Sequence, residues 1–231
     1  SGDYSTAMGL SSQASGEYST ALGPTSYATG DFSTAMASGG ASGNYSIAMG
    51  GSASGTSSTA MVGATASGNF STAMGQETIA SGFASTAMGR STNASGSAST
   101  AIGNRTKAIG NFSNAMGDWT YASGIAATAM GYNTSASGDY STVMGYRTKA
   151  SGEYSTAMGW KTEASTWNTL VIGQNNLLGR NPTDDGGPAF VIGNSQWDEP
   201  ELYSDAFSVL YDGTTNIAGS VTATSFIGDG S

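Results

Sequence analysis

Large apolar side chains recur along this chain at one nearly fixed spacing. The steps between them are 14 residues, except for steps of 13, 12 and 13 between Met36 and Met74. All ten methionines occupy this position, so it selects a large, flexible apolar side chain. We call it the apolar column, and it comprises Met8, Leu22, Met36, Met49, Met61, Met74, Met88, Ile102, Met116, Met130, Met144, Met158 and Ile172.

Two glycines per repeat predict two tight turns, where a positive φ or a close backbone approach excludes a Cβ. They argue against the coiled coil that a spacing of two heptads would otherwise allow, and the period is not that of collagen. One glycine follows most members of the apolar column. The other forms a column of turn glycines that includes Gly16, Gly30, Gly82, Gly96, Gly110, Gly124, Gly138 and Gly152.

The pattern therefore predicts an all-β fold, a β-solenoid with two short strands and two turns in each coil. About thirteen coils fit into residues 1–173. Stacked about 4.8 Å apart, they would form a rod of roughly 60 Å. Residues 174–231 are predicted to form a small β-rich connector that leads to a downstream stalk or chaperone domain, and we expect the chain to be a fragment of something longer.

Alternation within the strand YSTAM predicts which side chains lie inside the coil. Tyr154, Thr156 and Met158 share one face, whereas Ser155 and Ala157 share the other. A 14-residue coil encloses little volume, so we expect the serine and alanine columns inside and the apolar column outside. An apolar stripe of this length is larger than soluble monomers usually expose. Self-association through the apolar column, around a rotation axis, is the predicted solution.

The second strand of each coil carries a threonine column, from Thr78 to Thr162, and an alanine column two residues later. The position between them has no common chemistry and is predicted to face solvent. An aromatic column is assigned to packing between strands or chains; it comprises Tyr4, Tyr18, Phe32, Tyr45, Phe70, Phe112, Tyr140 and Tyr154.

Composition and charge exclude several classes of function. The net charge is −9, and residues 1–89 contain no Lys or Arg, which argues against nucleic-acid binding. The chain has no His and no Cys, so it lacks the commonest catalytic bases and thiol chemistry. We predict no enzyme activity, no cofactor and no metal site. The acidic turns at residues 183–187 and 228–230 lack the spaced ligands of known calcium motifs, so we interpret them as solvated turns.

A candidate ligand patch stands out in the later coils, whose variable turn positions combine aromatic and basic side chains. The corresponding early turns hold mainly Ser, Gly and Ala. Such combinations are typical of surfaces that contact glycans or proteins, and the alternative is a solubilising surface near the connector. The patch comprises Arg105, Lys107, Trp119, Tyr121, Tyr132, Tyr146, Arg147, Lys149, Trp160 and Lys161.

The pairing of STAMG with x-T-x-A-S-G, as in STAMGRSTNASG at residues 85–96, resembles the repeats of YadA-like heads of trimeric autotransporter adhesins. The resemblance covers residues 1–173 and implies a left-handed parallel β-roll, a homotrimer and attachment to a receptor, matrix protein or glycan. It departs in two ways: Met replaces the commoner Ile or Val, and the coils around residues 37–66 are short.

The C-terminal segment resembles connectors that follow such heads in bacterial surface proteins and in phage or viral fibres. Its predicted strands are 189–192, 206–211 and 221–227. The leading hypothesis is a non-catalytic adhesive head, extracellular and at the cell surface, without direct membrane insertion in this fragment. The alternatives are a virus or phage receptor-binding fibre, an ice-binding solenoid with threonine ladders, and a passive spacer.

Overall fold

The computed structural model describes residues 2–176, 188–194 and 205–220. In this part of the chain there is no helix, and short strands alternate between two sheets. The strands of the solenoid in the first sheet are β1 (Thr6–Met8), β3 (Thr20–Leu22), β5 (Thr34–Met36), β7 (Ile47–Met49), β9 (Thr59–Met61), β11 (Thr72–Met74), β13 (Thr86–Arg90), β15 (Thr100–Asn104), β17 (Asn114–Asp118), β19 (Thr128–Tyr132), β21 (Thr142–Tyr146), β23 (Thr156–Trp160) and β25 (Leu170–Gln174).

The second sheet contains twelve strands of two residues each. They are β2 (Gln13–Ala14), β4 (Tyr27–Ala28), β6 (Gly40–Ala41), β8 (Ser52–Ala53), β10 (Thr65–Ala66), β12 (Ile79–Ala80), β14 (Asn93–Ala94), β16 (Lys107–Ala108), β18 (Tyr121–Ala122), β20 (Ser135–Ala136), β22 (Lys149–Ala150) and β24 (Glu163–Ala164). One strand from each sheet makes one coil, so the predicted β-solenoid is confirmed.

Neighbouring coils stack in parallel with equivalent residues in register. Thr86 pairs with Thr100, and Met88 pairs with Ile102. The register continues through the short coils, where Met36 pairs with Met49 and Met49 with Met61. The missing residues come from the turn after the apolar column: four residues connect β3 to β4, whereas only two connect β7 to β8. The deletions therefore shorten one turn and leave both sheets continuous.

The interior is filled by small side chains, as the alternation predicts. From Ala14 onward the alanine columns of both sheets are buried, and so are Ser155 and the threonine column from Thr78 to Thr162. Val143 and Val171 are the largest fully buried side chains in the described part of the rod. The threonine column from Thr78 to Thr162 lies one residue before the second-sheet strands, not within them as expected. Because these threonines are buried, they offer no ladder to an ice lattice, and the outward threonines of the first sheet remain for that alternative.

The turn glycines and the glycines after the apolar column are constrained differently. Gly110 has no unusual φ, but a Cβ built on it would lie 2.0 Å from the carbonyl oxygen of Gly124 in the next coil. Gly103 combines a φ of +128° with a Cβ position 2.0 Å from the carbonyl oxygen of Gly117. The coil spacing excludes a side chain at both positions.

Left-handed backbone also occurs at residues other than glycine, which the sequence did not indicate. Tyr154 (φ 56°) and Trp119 (φ 56°) each represent a column with this conformation, one in each turn of the coil. The expectation that the strand starts at the tyrosine is wrong, because Tyr154 lies in the turn and the strand begins at Thr156. A left-handed residue here redirects the chain before the strand starts.

The first sheet extends past the solenoid through three more strands, β26 (Pro188–Asn194), β27 (Asp205–Leu210) and β28 (Thr215–Ile217). β26 adds to β25 in parallel, with Ile172 opposite Ile192, and the next two strands are antiparallel. Two of the three predicted C-terminal strands therefore exist. The third, at residues 221–227, and the acidic turns at 183–187 and 228–230 lie outside the described residues.

Candidate binding faces

The apolar column lies on the outer surface of the first sheet. In most of these strands the central residue is a buried alanine, whereas the residues before and after it, usually a threonine and a member of the apolar column, point outward. Most members of the column are half-buried within the single chain, and Met144 exposes 39% of its surface. Apolar side chains and threonines thus form a continuous stripe along the rod.

The ten residues of the candidate ligand patch lie along one edge of the rod, at the turn that leads from the first sheet to the second. They form three parallel columns. Arg105, Trp119, Arg147 and Lys161 occupy the left-handed turn position. Tyr132, Tyr146 and Trp160 end strands β19, β21 and β23 of the first sheet, and Lys107, Tyr121 and Lys149 begin strands β16, β18 and β22 of the second. The 14-residue spacing therefore brings together residues that are distant in sequence.

One half of the patch is an aromatic ladder on the side of the first sheet. The rings of Tyr132 and Tyr146 stack with centroids 5.2 Å apart, and Trp160 continues the ladder at 6.4 Å. Cations lie over two of these rings: the Arg147 guanidinium is 5.3 Å from the Tyr146 centroid, and Lys161 Nζ is 4.4 Å from the Trp160 centroid. These contacts hold the side chains against the rod.

The other half of the patch borders a groove on the side of the second sheet. The groove has a volume of about 440 Å³ and is lined by Ser91, Arg105, Lys107, Trp119, Thr120, Tyr121, Asn133, Thr134 and Ser135. Trp119 is half exposed, and the Arg105 guanidinium lies 4.9 Å from the centroid of its indole ring. Asn133 and Ser135 are shorter than the aromatic residues of the preceding coil, which leaves the space open.

Charges near the groove are unevenly compensated. Lys149 pairs with Glu163 at 3.0 Å, the one salt bridge among the described residues. Two nearby carboxylates accept hydrogen bonds from neutral groups, Glu77 from Ser91 Oγ at 2.8 Å and Asp118 from Asn104 Nδ2 at 2.9 Å. In the part of the chain that the structure describes, Arg105 and Lys107 line the groove and form no ion pair.

The repeats of this chain match one family model. The family model described as YadA head domain repeat (2 copies) matches residues 1–26, 14–36, 41–53, 53–78, 80–106, 122–148, 136–162 and 150–176. These segments cover more than half of the chain. The chain belongs to the YadA head-repeat family. No curated protein matches it. The matched YadA segments leave out residues 107–121, which contribute Lys107, Trp119 and Tyr121 to the groove.

The opposite edge of the YadA-type rod carries a second aromatic ladder. Tyr4, Tyr18, Phe32 and Tyr45 stack with centroids 4.9–5.0 Å apart, and Tyr140 stacks on Tyr154 at 4.9 Å. Desolvation of Tyr154 raises the pKa of its hydroxyl, and the negative charges of Glu153 and Asp139 act in the same direction. The rings contact one another within the single chain, so packing between coils accounts for them.

Acidic and amide side chains on this opposite edge connect the coils, a role that sequence reasoning missed. The backbone N–H of Glu17 donates to Asp31 Oδ1 at 3.0 Å, and that of Ile125 donates to Asp139 Oδ1 at 2.8 Å. Asn111 accepts equivalently from Ser97. The recurrent Asp or Asn after the turn glycine was a usable signal, because these side chains often accept hydrogen bonds from turn backbone.

Neither metal ligation nor a membrane-spanning helix is found in the described YadA repeats and their C-terminal strands. Across residues 2–176, 188–194 and 205–220, no group of three or more His, Cys, Asp or Glu side chains is placed to bind a metal ion. In the same residues, no helix is long and apolar enough to cross a membrane. The two outward surfaces with a distinctive composition are the apolar stripe and the candidate ligand patch, which we also call the edge patch.

Proposed function

We propose that this chain is the adhesive, non-catalytic head of a homotrimeric fibre exposed at a cell surface. The YadA head-repeat match carries the proposal, because YadA-type heads are surface-exposed, form homotrimers and bind host factors in general. The outward stripe of the apolar column supports the trimer, since packing three stripes around one axis removes apolar surface from water. The groove half of the edge patch lies beside the second sheet, away from that stripe, and the patch supplies the attachment surface.

The first test concerns the trimer. The unaltered chain is expected to have a mass in solution of three times 23.0 kDa by multi-angle light scattering. Met144→Glu should lower this to a monomer, because three carboxylates would meet around the axis with little water to solvate them. Its far-UV circular dichroism should still be that of a β-rod, since Met144 points away from the coil interior.

Ile79→Glu provides a matched control for the trimer test. Ile79 exposes 41% of its surface against 39% for Met144, but it lies on the second sheet. This variant should remain trimeric. A monomeric unaltered chain, or a trimer that Met144→Glu leaves intact, would contradict the proposed assembly.

The second test concerns attachment through the edge patch. Beads coated with the head should bind to epithelial cell monolayers. The double variant Trp119→Ala, Trp160→Ala should reduce the number bound by at least about tenfold, as expected for aromatic anchors that become buried when a partner binds. The trimer should persist. The matched control is Phe112→Ala with Tyr140→Ala, which removes two aromatic side chains from the opposite edge. Equal loss in the two double variants would remove the edge patch from the proposal.

A further inference from the structure

The groove lies at a corner of the rod where two outward columns run side by side. One is the left-handed turn column, with Arg105, Trp119 and Asn133; the other begins the second-sheet strands, with Lys107, Tyr121 and Ser135. Each pair flanks one buried threonine of the interior, such as Thr120. The corner is thus a channel parallel to the rod axis, with walls that change chemistry from coil to coil.

The order of chemistry along this channel is basic, aromatic, small polar and basic again. Arg105 with Lys107 comes first, Trp119 with Tyr121 second, Asn133 with Ser135 third, and Arg147 with Lys149 fourth. The two basic pairs are three coils apart, about 14 Å at the usual spacing of strands. A ligand that spans them must be linear and must carry negative charges separated by uncharged units.

The coil that carries Trp119 and Tyr121 provides a flat apolar surface in this channel. Arg105 lies over the Trp119 ring and limits its rotation, while about half of the side chain stays accessible. A pyranose ring has a C–H face that packs on such a surface and hydroxyl groups at its rim. Asn133, Ser135 and Ser91 line the same groove and provide donors and acceptors for those hydroxyls. The volume of about 440 Å³ is in the range of sites for small ligands.

Charge and size favour an acidic sugar over other polyanions. A nucleic acid requires many phosphate contacts, whereas the net charge of this chain is −9 and four cations line this channel, one of them paired with Glu163. The groove is also short of the area that a stable protein interface buries.

We propose that this channel binds an acidic oligosaccharide lying along the rod axis. Arg105 and Lys107 contact one carboxylate or sulfate group, Trp119 and Tyr121 pack on a sugar ring, and Asn133 and Ser135 bind its hydroxyls. Arg147 and Lys149 contact the next acidic group. The inference rests on the proposed function, because it names the ligand class of the edge patch.

Fluorescence anisotropy with labelled decasaccharides tests this binding. The probes are hyaluronan, which carries carboxylates only, a heparin-derived decasaccharide rich in sulfate, and neutral dextran of the same length. At least one acidic probe should bind ten or more times more tightly than dextran, and its preference identifies the acidic group. Equal binding of all three probes, or no binding of either acidic probe, overturns the inference.

Substitutions separate a specific channel from general attraction between charges. Trp119→Asn should weaken binding of the acidic probe at least tenfold, and Asn is suited to this backbone because Asn133 has φ 53° at the equivalent position. Phe112→Asn is the matched control: Phe112 has φ 60° and is similarly exposed on the opposite edge. It should leave binding unchanged.

A pair of charge variants completes the test. Lys107→Gln should weaken binding clearly more than Lys161→Gln, which removes the same charge one coil beyond the four coils that the ligand is proposed to span. Equal effects of the two variants, together with indifference to Trp119→Asn, would show nonspecific attraction and overturn the inference. The bead assay tests the proposed function separately. If attachment depends on Trp119 but the chain does not bind acidic sugars, the proposed function is retained and only this ligand class is rejected.

Discussion

Gly110→Ala should destabilise the rod by more than about 3 kcal/mol, a large effect for a single methyl group. The added Cβ would lie 2.0 Å from the carbonyl oxygen and 2.6 Å from the carbonyl carbon of Gly124. Both atoms belong to backbone, so neither can move without shifting the next coil. Because each coil contacts only its neighbours, the break should also uncouple the two halves of the stack. Thermal unfolding followed by circular dichroism should show a lower midpoint or two separate transitions.

Gly40→Ala is the control for this prediction. Gly40 lies on the outer face of β6, has no positive φ, and a Cβ built there meets nothing within 4 Å. The variant should be neutral or slightly more stable, because alanine restricts the unfolded chain. If the two variants unfold at the same temperature, the close approach of coils is not what requires glycine in the turn column.

Ala115→Leu should be the second severe change, with a cost of about 3 kcal/mol from overpacking. Ala115 is fully buried and lies between Ala101 and Ala129 of the adjacent coils. Its side chain faces an interior filled by alanine, serine and threonine, so a leucine can fit only by separating the two sheets. Urea unfolding should show a lower midpoint with a similar dependence on denaturant.

Ala115→Val tests the same position with a smaller addition. The alanine column already contains Val143 and Val171, both fully buried. Coils of this shape therefore accommodate two extra methyl groups, and the cost should stay below about 1.5 kcal/mol. A leucine tolerated as well as valine would show that the interior is wider than the structure indicates.

Most of the solenoid was predictable because its signals are periodic. Met88 and Ile102 are 14 residues apart and pair directly across adjacent coils, and the burial of Ala87 follows from strand alternation beside them. The aromatic residues were harder. Alternation predicts that Tyr154 is in the strand, because a period of two cannot reveal that the chain enters the strand from a left-handed turn.

The candidate patch was predictable in composition but not in shape. The ten residues stood out as aromatic and basic positions in the later coils, yet sequence alone treats them as one surface. The structure divides them into a stacked ladder, Tyr132 to Trp160, and a groove beside Trp119. The two parts are separate because this turn is a corner of the coil. Residues before the turn end strands of the first sheet, and residues after it begin strands of the second.

The sequence by itself determined the repeating unit, the outward apolar column and the small interior, because all three depend on spacing along a regular backbone. Only the tertiary structure decided which glycines are excluded by contact with the next coil and where a short Asn133 opens space beside Trp119. Such features depend on the distance between residues 14 positions apart. That distance is set by the stacking of coils, not by the local preferences of either residue.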